Sequence, residues 1–69
     1  MRKDLKRSLT IAGHRTSLSL EPEFWEALQA AAQQRNKPLA ALVADIDKTR
    51  GSRNLSSAIR VWLLHALKH

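Results

Sequence analysis

Cysteine is absent from this chain of 69 residues, which excludes disulfide bonds, thiolate zinc sites, iron–sulfur clusters and cysteine nucleophiles. Aromatic residues make up only 4 % of the sequence. No run of about 18 apolar residues occurs, so a transmembrane helix is not expected. Only short apolar stretches follow the basic N-terminus, and this pattern predicts a cytoplasmic protein without a signal peptide.

The chain does contain enough apolar sequence for one small folded domain. Hydrophobic residues make up 43 % of it, which is too much for a disordered basic tail. A domain of this size buries only a modest core, and no disulfide can staple it. We therefore expect the chain to enlarge its core by pairing with a second copy.

Positive charge predominates, with 12 Lys and Arg against 6 Asp and Glu and a net charge of +6. Residues 1–15 and 48–69 hold most of the bases, whereas residues 16–47 hold all the acids except Asp4. This polarised distribution predicts a polyanionic partner such as nucleic acid. Charge alone leaves ordinary solubility open as an alternative explanation.

The first residues lack hydrophobic periodicity. Residues 1–8 are basic and polar, and we expect them to form a flexible arm that precedes a single domain at 9–69. The spacing of Leu9 and Ile11 indicates extended backbone. Gly13 follows them at a position where a bend or bulge is expected.

One short strand is predicted at about residues 15–20, because apolar and polar residues alternate there. Thr16, Leu18 and Leu20 share one side, and Arg15, Ser17 and Ser19 share the other. A strand cannot stand alone, and the chain offers no convincing second strand after Leu20. The partner strand is therefore expected to come from another copy of the chain.

Three helices are predicted after this strand, at about 22–35, 38–48 and 55–68. Pro22 and Pro38 suit first helical positions, Asn36 suits a left-handed helix end, and Asn54 suits an N-cap. The last helix is apolar nearly all round, which predicts burial between subunits.

This order of strand, helix, turn and helix resembles the ribbon-helix-helix family of bacterial and phage DNA-binding proteins. The resemblance runs from Arg15 to about Asp47 and rests on Arg15-Thr16-Ser17-Leu18-Ser19-Leu20-Glu21-Pro22-Glu23-Phe24-Trp25, on the spacing of Leu28, Ala31 and Ala32, and on Leu42-Val43-Ala44. A longer likeness, to a branch with an additional C-terminal helix, rests on Gly13-His14-Arg15-Thr16-Ser17 and Asn54-Leu55-Ser56-Ser57-Ala58-Ile59-Arg60.

The resemblance implies a mainly α protein with one short strand, in an intertwined homodimer whose two strands form an intersubunit antiparallel ribbon. It implies double-stranded DNA as partner, bound in the major groove, and a transcriptional repressor or autoregulator. The base contacts would come from Arg15, Ser17 and Ser19, with Arg15 suited to the two acceptors of guanine. A solvated strand face is the alternative for the same polar alternation. The dimer core would contain Leu18, Leu20, Trp25, Leu28, Leu42, Val43, Ile46, Ile59 and Trp62.

The family also holds a DNA phosphate at the start of the second helix. The resemblance assigns this contact to the backbone N–H groups of Leu39 and Ala40, near Lys37. The chain lacks the family's usual turn glycine and hydroxyl cap, and Pro38 removes a donor. His14 and Arg7 are further candidates for phosphate contacts, although a histidine at such a position more often hydrogen-bonds locally. Among the later bases, the sequence leaves DNA contact or simple solvation open for Lys48, Arg50 and Arg53.

Other functions are less consistent with the sequence. We expect no enzyme, no cofactor and no metal site, because the helical pair His65 and His69 has no acidic companion and ends at the chain terminus. A membrane-surface helix is not expected either. The main alternative is an antitoxin-like or other protein-interaction module, with a protein partner bound through the apolar C-terminal helix.

Overall fold

The computed structural model of the protein describes residues 5–68. Two strands, β1 (Leu5–Ile11) and β2 (His14–Leu20), are followed by three helices, α1 (Pro22–Gln34), α2 (Leu39–Thr49) and α3 (Leu55–Lys68). The second strand and the three helices agree with the sequence-based prediction to within about two residues at each end.

The two strands form an antiparallel hairpin within one chain. The pairing runs from Leu5 opposite Leu20 to Ile11 opposite His14. The prediction that the partner strand comes from a second copy is therefore corrected, because β1 precedes β2 in the same chain and pairs with it along its whole length.

The predicted flexible arm at 1–8 is also corrected. Residues 5–8 belong to β1, and residues 1–4 lie outside the part of the chain that the structure describes. Residues 1–8 are basic and polar without hydrophobic periodicity, and this predicted the arm. In the structure Arg7 occupies a position of β1 that faces the helices, opposite Leu18. The aliphatic stem of an arginine can cover apolar surface while its charge stays in water, and the Arg7 guanidinium lies 5.1 Å from the centroid of the Trp25 ring.

A turn of only two residues closes the hairpin. Ala12 has a φ of 51° and Gly13 a φ of 83°, so both central residues are left-handed, as the tight primed hairpin turns require. This turn replaces the bend that the sequence predicted at Gly13. Left-handed backbone is easy for glycine but costs an alanine about 1 kcal/mol.

Local signals in the sequence explain the ends of the helices. Pro22 lies in the first turn of α1, where no N–H is needed. Asn36 has a φ of 54° and ends the α1 region in the left-handed conformation. The Asn54 side chain accepts a hydrogen bond of 2.8 Å from the Ser57 N–H and caps α3. Pro38 precedes α2 as its N-cap instead of lying within it.

The helices cover one face of the hairpin and share one core with it. The buried residues come from all five elements, and they are Ile11, Leu18, Leu20, Trp25, Leu28, Ala31, Ala32, Leu42, Val43, Ile46, Ala58, Ile59 and Leu63. No polar or charged residue is buried among those that the structure describes. This single apolar layer holds the hairpin against the helices.

Side-chain hydrogen bonds fix the hairpin to the helices at its open end. The Trp25 indole Nε1 donates to the Leu5 carbonyl at 2.9 Å, and the Ser56 hydroxyl donates to the Ser19 carbonyl at 2.9 Å. Because these carbonyls lie on different strands, β1 is tied to α1 and β2 to α3.

The turn yields a test of the hairpin. Replacing Gly13 by Ala should lower the free energy of unfolding by about 1–2 kcal/mol, because a methyl group disfavours left-handed backbone. Open space surrounds the added Cβ position, so no clash contributes. Replacing Ala12 by Asn should instead raise the free energy of unfolding by about 1 kcal/mol, because Asn-Gly is the preferred pair for this turn.

Urea denaturation of both variants measures the two effects. If this turn did not join residues 5–11 to residues 14–20, the two substitutions would not change the free energy of unfolding in opposite directions. Equal stability of wild type, Ala12→Asn and Gly13→Ala would therefore contradict the hairpin.

Candidate functional site

The sheet presents a wholly polar face on the side away from the helices. In the observed register, residues opposite each other point to the same face. Three cross-strand pairs share the face turned from the core, and we call these six residues the outward sheet face: Lys6 with Ser19, Ser8 with Ser17, and Thr10 with Arg15. All are exposed except Ser19, which is half-buried.

The chemistry of the outward sheet face is uniform. It consists of four hydroxyl groups, one ammonium and one guanidinium, with no carboxylate and no apolar side chain. The whole hairpin from residue 5 to residue 20 contains no acid. Such a surface can donate several hydrogen bonds and attracts negative charge, but it offers no general base of the carboxylate kind.

The dimensions of the hairpin suit a groove of duplex DNA. Each strand has 7 residues, which at about 3.3 Å per residue makes the sheet roughly 20 Å long. Its two strands lie about 4.8 Å apart, and a two-stranded ribbon of this width fits the major groove, which is about 12 Å wide.

The three base-contact candidates that the sequence predicted lie together on this face. Arg15 and Ser17 are exposed and Ser19 is half-buried, whereas Leu18 and Leu20 are only 1 % and 0 % exposed on the opposite face. The predicted alternation along β2 is therefore present in the structure. Their role in base contact stays a prediction.

Sequence reasoning missed the other half of the outward sheet face. Lys6, Ser8 and Thr10 lie on β1, opposite the three residues of β2. Two features of the sequence could have revealed them. Polar residues alternate with Leu5, Leu9 and Ile11, and the pair Ala12-Gly13 lies midway between two stretches of equal length.

Two candidates for phosphate contact lie on the hairpin but not on its outward sheet face. Arg7 is opposite Leu18 and stacks over Trp25, so it points to the helix side of the sheet. His14 is opposite Ile11 beside the turn and is exposed. Neither residue belongs to the outward sheet face, and their role in phosphate contact stays a prediction.

The remaining phosphate candidates lie at the start of α2. Leu39 and Ala40 are the first two residues of α2 and follow its N-cap, Pro38. The Pro38 carbonyl accepts hydrogen bonds from the N–H groups of Ala41 and Leu42. Lys37 forms an ion pair with Asp45, so its charge is partly balanced within the chain. A hydrogen bond from Lys37 and the nearby positive charge lower the pKa of the Asp45 carboxyl below its ordinary value of 3.8.

The bases after α2 differ in their surroundings. Arg50 forms an ion pair with Asp47 and donates a hydrogen bond of 2.7 Å to the Arg53 carbonyl. These contacts fold the loop around Gly51, which has a φ of 63°. Lys48 and Arg53 are exposed, and the sequence-based alternatives of DNA contact or solvation stay open for them.

The residues predicted to form a dimer core are mostly buried within the single chain. Eight of the nine predicted members belong to its buried core, and Trp62 is half-buried at the edge of that core. The guanidinium of Arg35 lies 4.8 Å from the centroid of the Trp62 ring. Burial of these side chains therefore needs no second copy.

Two kinds of feature were sought in residues 5–68, a cluster of potential metal ligands and a helix suited to crossing a membrane. Within that range no three potential ligands among His, Cys, Asp and Glu come together, and no described helix combines the length and apolarity that crossing a bilayer requires. His69, the second member of the helical histidine pair, lies outside the described residues.

The chain matches a known protein family over most of its length. The family described as "Ribbon-helix-helix domain" matches residues 5–67, a range that includes β1 as well as the segments on which the resemblance in the sequence rests. No significant match was found among curated proteins or among solved structures.

The ion pair beside α2 yields a test of its own. Replacing Lys37 by Met removes the hydrogen bond and the charge that lower the pKa of Asp45, so this pKa should rise towards its ordinary value of 3.8. In the wild type, the carboxylate should stay ionised to lower pH than an isolated aspartate. Titration of the Asp45 side-chain carbon by NMR measures both values, and an equal pKa in the two proteins would contradict the ion pair.

Proposed function

Because the chain belongs to the ribbon-helix-helix domain family, a family of DNA-binding regulators, we propose that it binds double-stranded DNA in a sequence-specific manner. The outward sheet face enters the major groove in this proposal. The chain then acts on its target as a transcriptional repressor or autoregulator in the cytoplasm, as bacterial and phage regulators do.

The composition of the outward sheet face carries this proposal. Six side chains from two strands form one continuous surface of hydrogen-bonding and positively charged groups. Base edges in the major groove present a distinct pattern of donors and acceptors, and short hydroxyl and long basic side chains are suited to contact them. The apolar face of the same sheet is buried against the helices, so only the polar face is available.

Specific roles follow from the side chains. Arg15 is the residue suited to a bidentate contact with guanine O6 and N7, whereas the serines and Thr10 can donate or accept and therefore discriminate less. Lys6 lies diagonally across the sheet from Arg15, near its other end. The two positive charges are therefore separated along the groove, which favours two distinct contacts over one.

Phosphate contacts would supply much of the affinity. The candidates for them are His14 beside the turn, Arg7 on β1, and Lys37 with the N–H groups of Leu39 and Ala40. Each Lys or Arg that neutralises a phosphate releases counterions, so binding should weaken steeply as salt rises.

A protein-interaction module is the second candidate function. The observation that favours it is the exposure of apolar residues on α3, where Leu64 is 54 % and Leu67 is 81 % exposed. In that case the outward sheet face would be solvated and the partner would be a protein. A measurement of DNA binding distinguishes the two candidate functions, because only the first requires that the chain bind DNA.

Selection of bound sequences from a random pool of duplex DNA tests the proposed function. We expect enrichment of a short guanine-containing motif, because Arg15 is the main candidate for discrimination. Recovery of an unenriched pool would overturn sequence-specific binding.

Replacement of Arg15 by Ala should reduce discrimination between the selected site and random DNA by about 1–3 kcal/mol, because one bidentate base contact is lost. Arg35→Ala is the matched control, since it removes the same charge from an exposed arginine that stacks on Trp62 away from the sheet. The control should keep the preference for the selected site. Competition binding at fixed salt measures both, and equal discrimination by wild type and Arg15→Ala would count against the assigned role.

A further inference from the structure

A cavity lies between the end of α2, the loop that follows it and one side of α3. It has a volume of about 240 Å³, and we call it the α2–α3 cavity. Sites for drug-sized ligands usually measure about 300–1,000 Å³, so this cavity suits a smaller molecule. None of the residues of the outward sheet face lines it, and a molecule bound there therefore leaves that face accessible.

We propose that the α2–α3 cavity binds a small aromatic carboxylic acid in its ionised form. The aromatic ring of the acid packs against the apolar part of the cavity lining, and Arg53 binds the carboxylate. The two halves of this ligand correspond to two chemically distinct parts of the lining.

The inner part of the lining is apolar. It consists of Ile46 and Ala58, which are buried, and of Val61 and Trp62, which are half-buried. Apart from the indole N–H of Trp62, these side chains carry no hydrogen-bonding group, so they favour an apolar group in the cavity. Trp62 favours an aromatic ring in particular, because paired aromatic rings attract each other beyond the effect of the area that they bury.

The outer part of the lining is polar and positively charged. Four exposed residues form it, and we call them the mouth of the cavity: Thr49, Arg50, Arg53 and His65. Among the described residues of the lining, none is an acid. A further arginine, Arg35, lies 4.8 Å from the centroid of the Trp62 ring and lines an adjacent cavity together with Trp62 and His65. The surroundings of Trp62 therefore attract an anion.

Arg53 is the base at the mouth that is open to a ligand. Arg50 is partly balanced by its ion pair with Asp47, whereas the Arg53 guanidinium has no ion pair or hydrogen bond with any residue from 5 to 68. A guanidinium binds a carboxylate through two parallel hydrogen bonds. One unbalanced guanidinium matches the single charge of a carboxylate, whereas a phosphate monoester carries nearly two negative charges at neutral pH. The mouth therefore favours a carboxylate.

NMR titration of the full chain with phenylacetate tests the proposal, because this acid combines one benzene ring with one carboxylate. The two tryptophans of the chain provide an internal comparison. The indole N–H signal of Trp62 should shift and saturate with a dissociation constant on the order of 1 mM, as expected for a ligand of this size. Trp25 is 2 % exposed and its indole N–H donates to the Leu5 carbonyl, so its signal should not shift.

Two further compounds separate the contribution of the ring from that of the charge. Phenethyl alcohol keeps the ring and replaces the carboxylate by a neutral hydroxyl group, whereas acetate keeps the carboxylate and lacks the ring. Each should bind at least about 10-fold more weakly than phenylacetate, because the first loses charge-assisted hydrogen bonds and the second loses the buried ring.

A pair of variants tests the role of Arg53. Arg53→Gln should raise the dissociation constant of phenylacetate about 10-fold, because a charge-assisted contact is lost. Lys48→Gln is the matched control, since it removes an exposed base that is close in sequence but does not line the cavity, and it should bind phenylacetate like the wild type. Both positions are exposed, so thermal unfolding should show that both variants stay folded.

Four results would overturn the proposal. The first is a Trp62 signal that does not saturate at phenylacetate concentrations about ten times the expected dissociation constant. The second is equal binding of phenethyl alcohol and phenylacetate, which would indicate an apolar cavity without recognition of an anion. The third is an equal loss in Arg53→Gln and Lys48→Gln, which would indicate attraction by net charge alone. These three results do not depend on the proposed function.

The fourth result concerns DNA. If Arg53→Gln weakens binding to random duplex DNA and leaves the binding of phenylacetate unchanged, Arg53 contacts the DNA backbone and the assignment of the carboxylate to it is wrong.

Discussion

The register of the hairpin is the constraint on which the rest of the structure depends. A two-residue turn places Ile11 opposite His14, and because side chains alternate with a period of two, this fixes the face of every residue on both strands. One additional residue in the turn would bring Ser8 opposite Leu18. The polar residues of β1 would then share the buried face, and Leu9 and Ile11 would face water. The uniform polar surface therefore exists only in this register.

The helices act mainly as support for that register. Trp25 of α1 binds the Leu5 carbonyl and Ser56 of α3 binds the Ser19 carbonyl, so the open end of the hairpin is held where no turn connects the strands. The closed end is anchored by Ile11, which is 5 % exposed. An isolated hairpin of two strands is marginally stable in water, and here packing and these two bonds give the outward sheet face a rigid frame.

Much of this architecture could be predicted from the sequence, and the exceptions have physical reasons. Alternation of Leu18 and Leu20 with serines identified β2, and the 3.6-residue spacing identified the helices. By contrast, β1 was missed because Arg7 occupies a core-facing position, and hydrophobic patterns do not show that its guanidinium stacks on Trp25. Ala12 gave no turn signal, since alanine is uncommon in left-handed backbone. Half of the outward sheet face therefore escaped sequence analysis.

The distribution of ion pairs explains how a chain with six acids can present a positive sheet. Ion pairs hold Asp45 to Lys37, Asp47 to Arg50 and Glu21 to Arg60, so much of the negative charge is balanced locally, within the helices and their loops. The bases in these three ion pairs are Lys37, Arg50 and Arg60. None of them belongs to the outward sheet face, whose own bases are Lys6 and Arg15. The net charge of +6 matters less for the function than this local separation, because a polyanion in contact with the sheet meets only hydroxyl groups and positive charge.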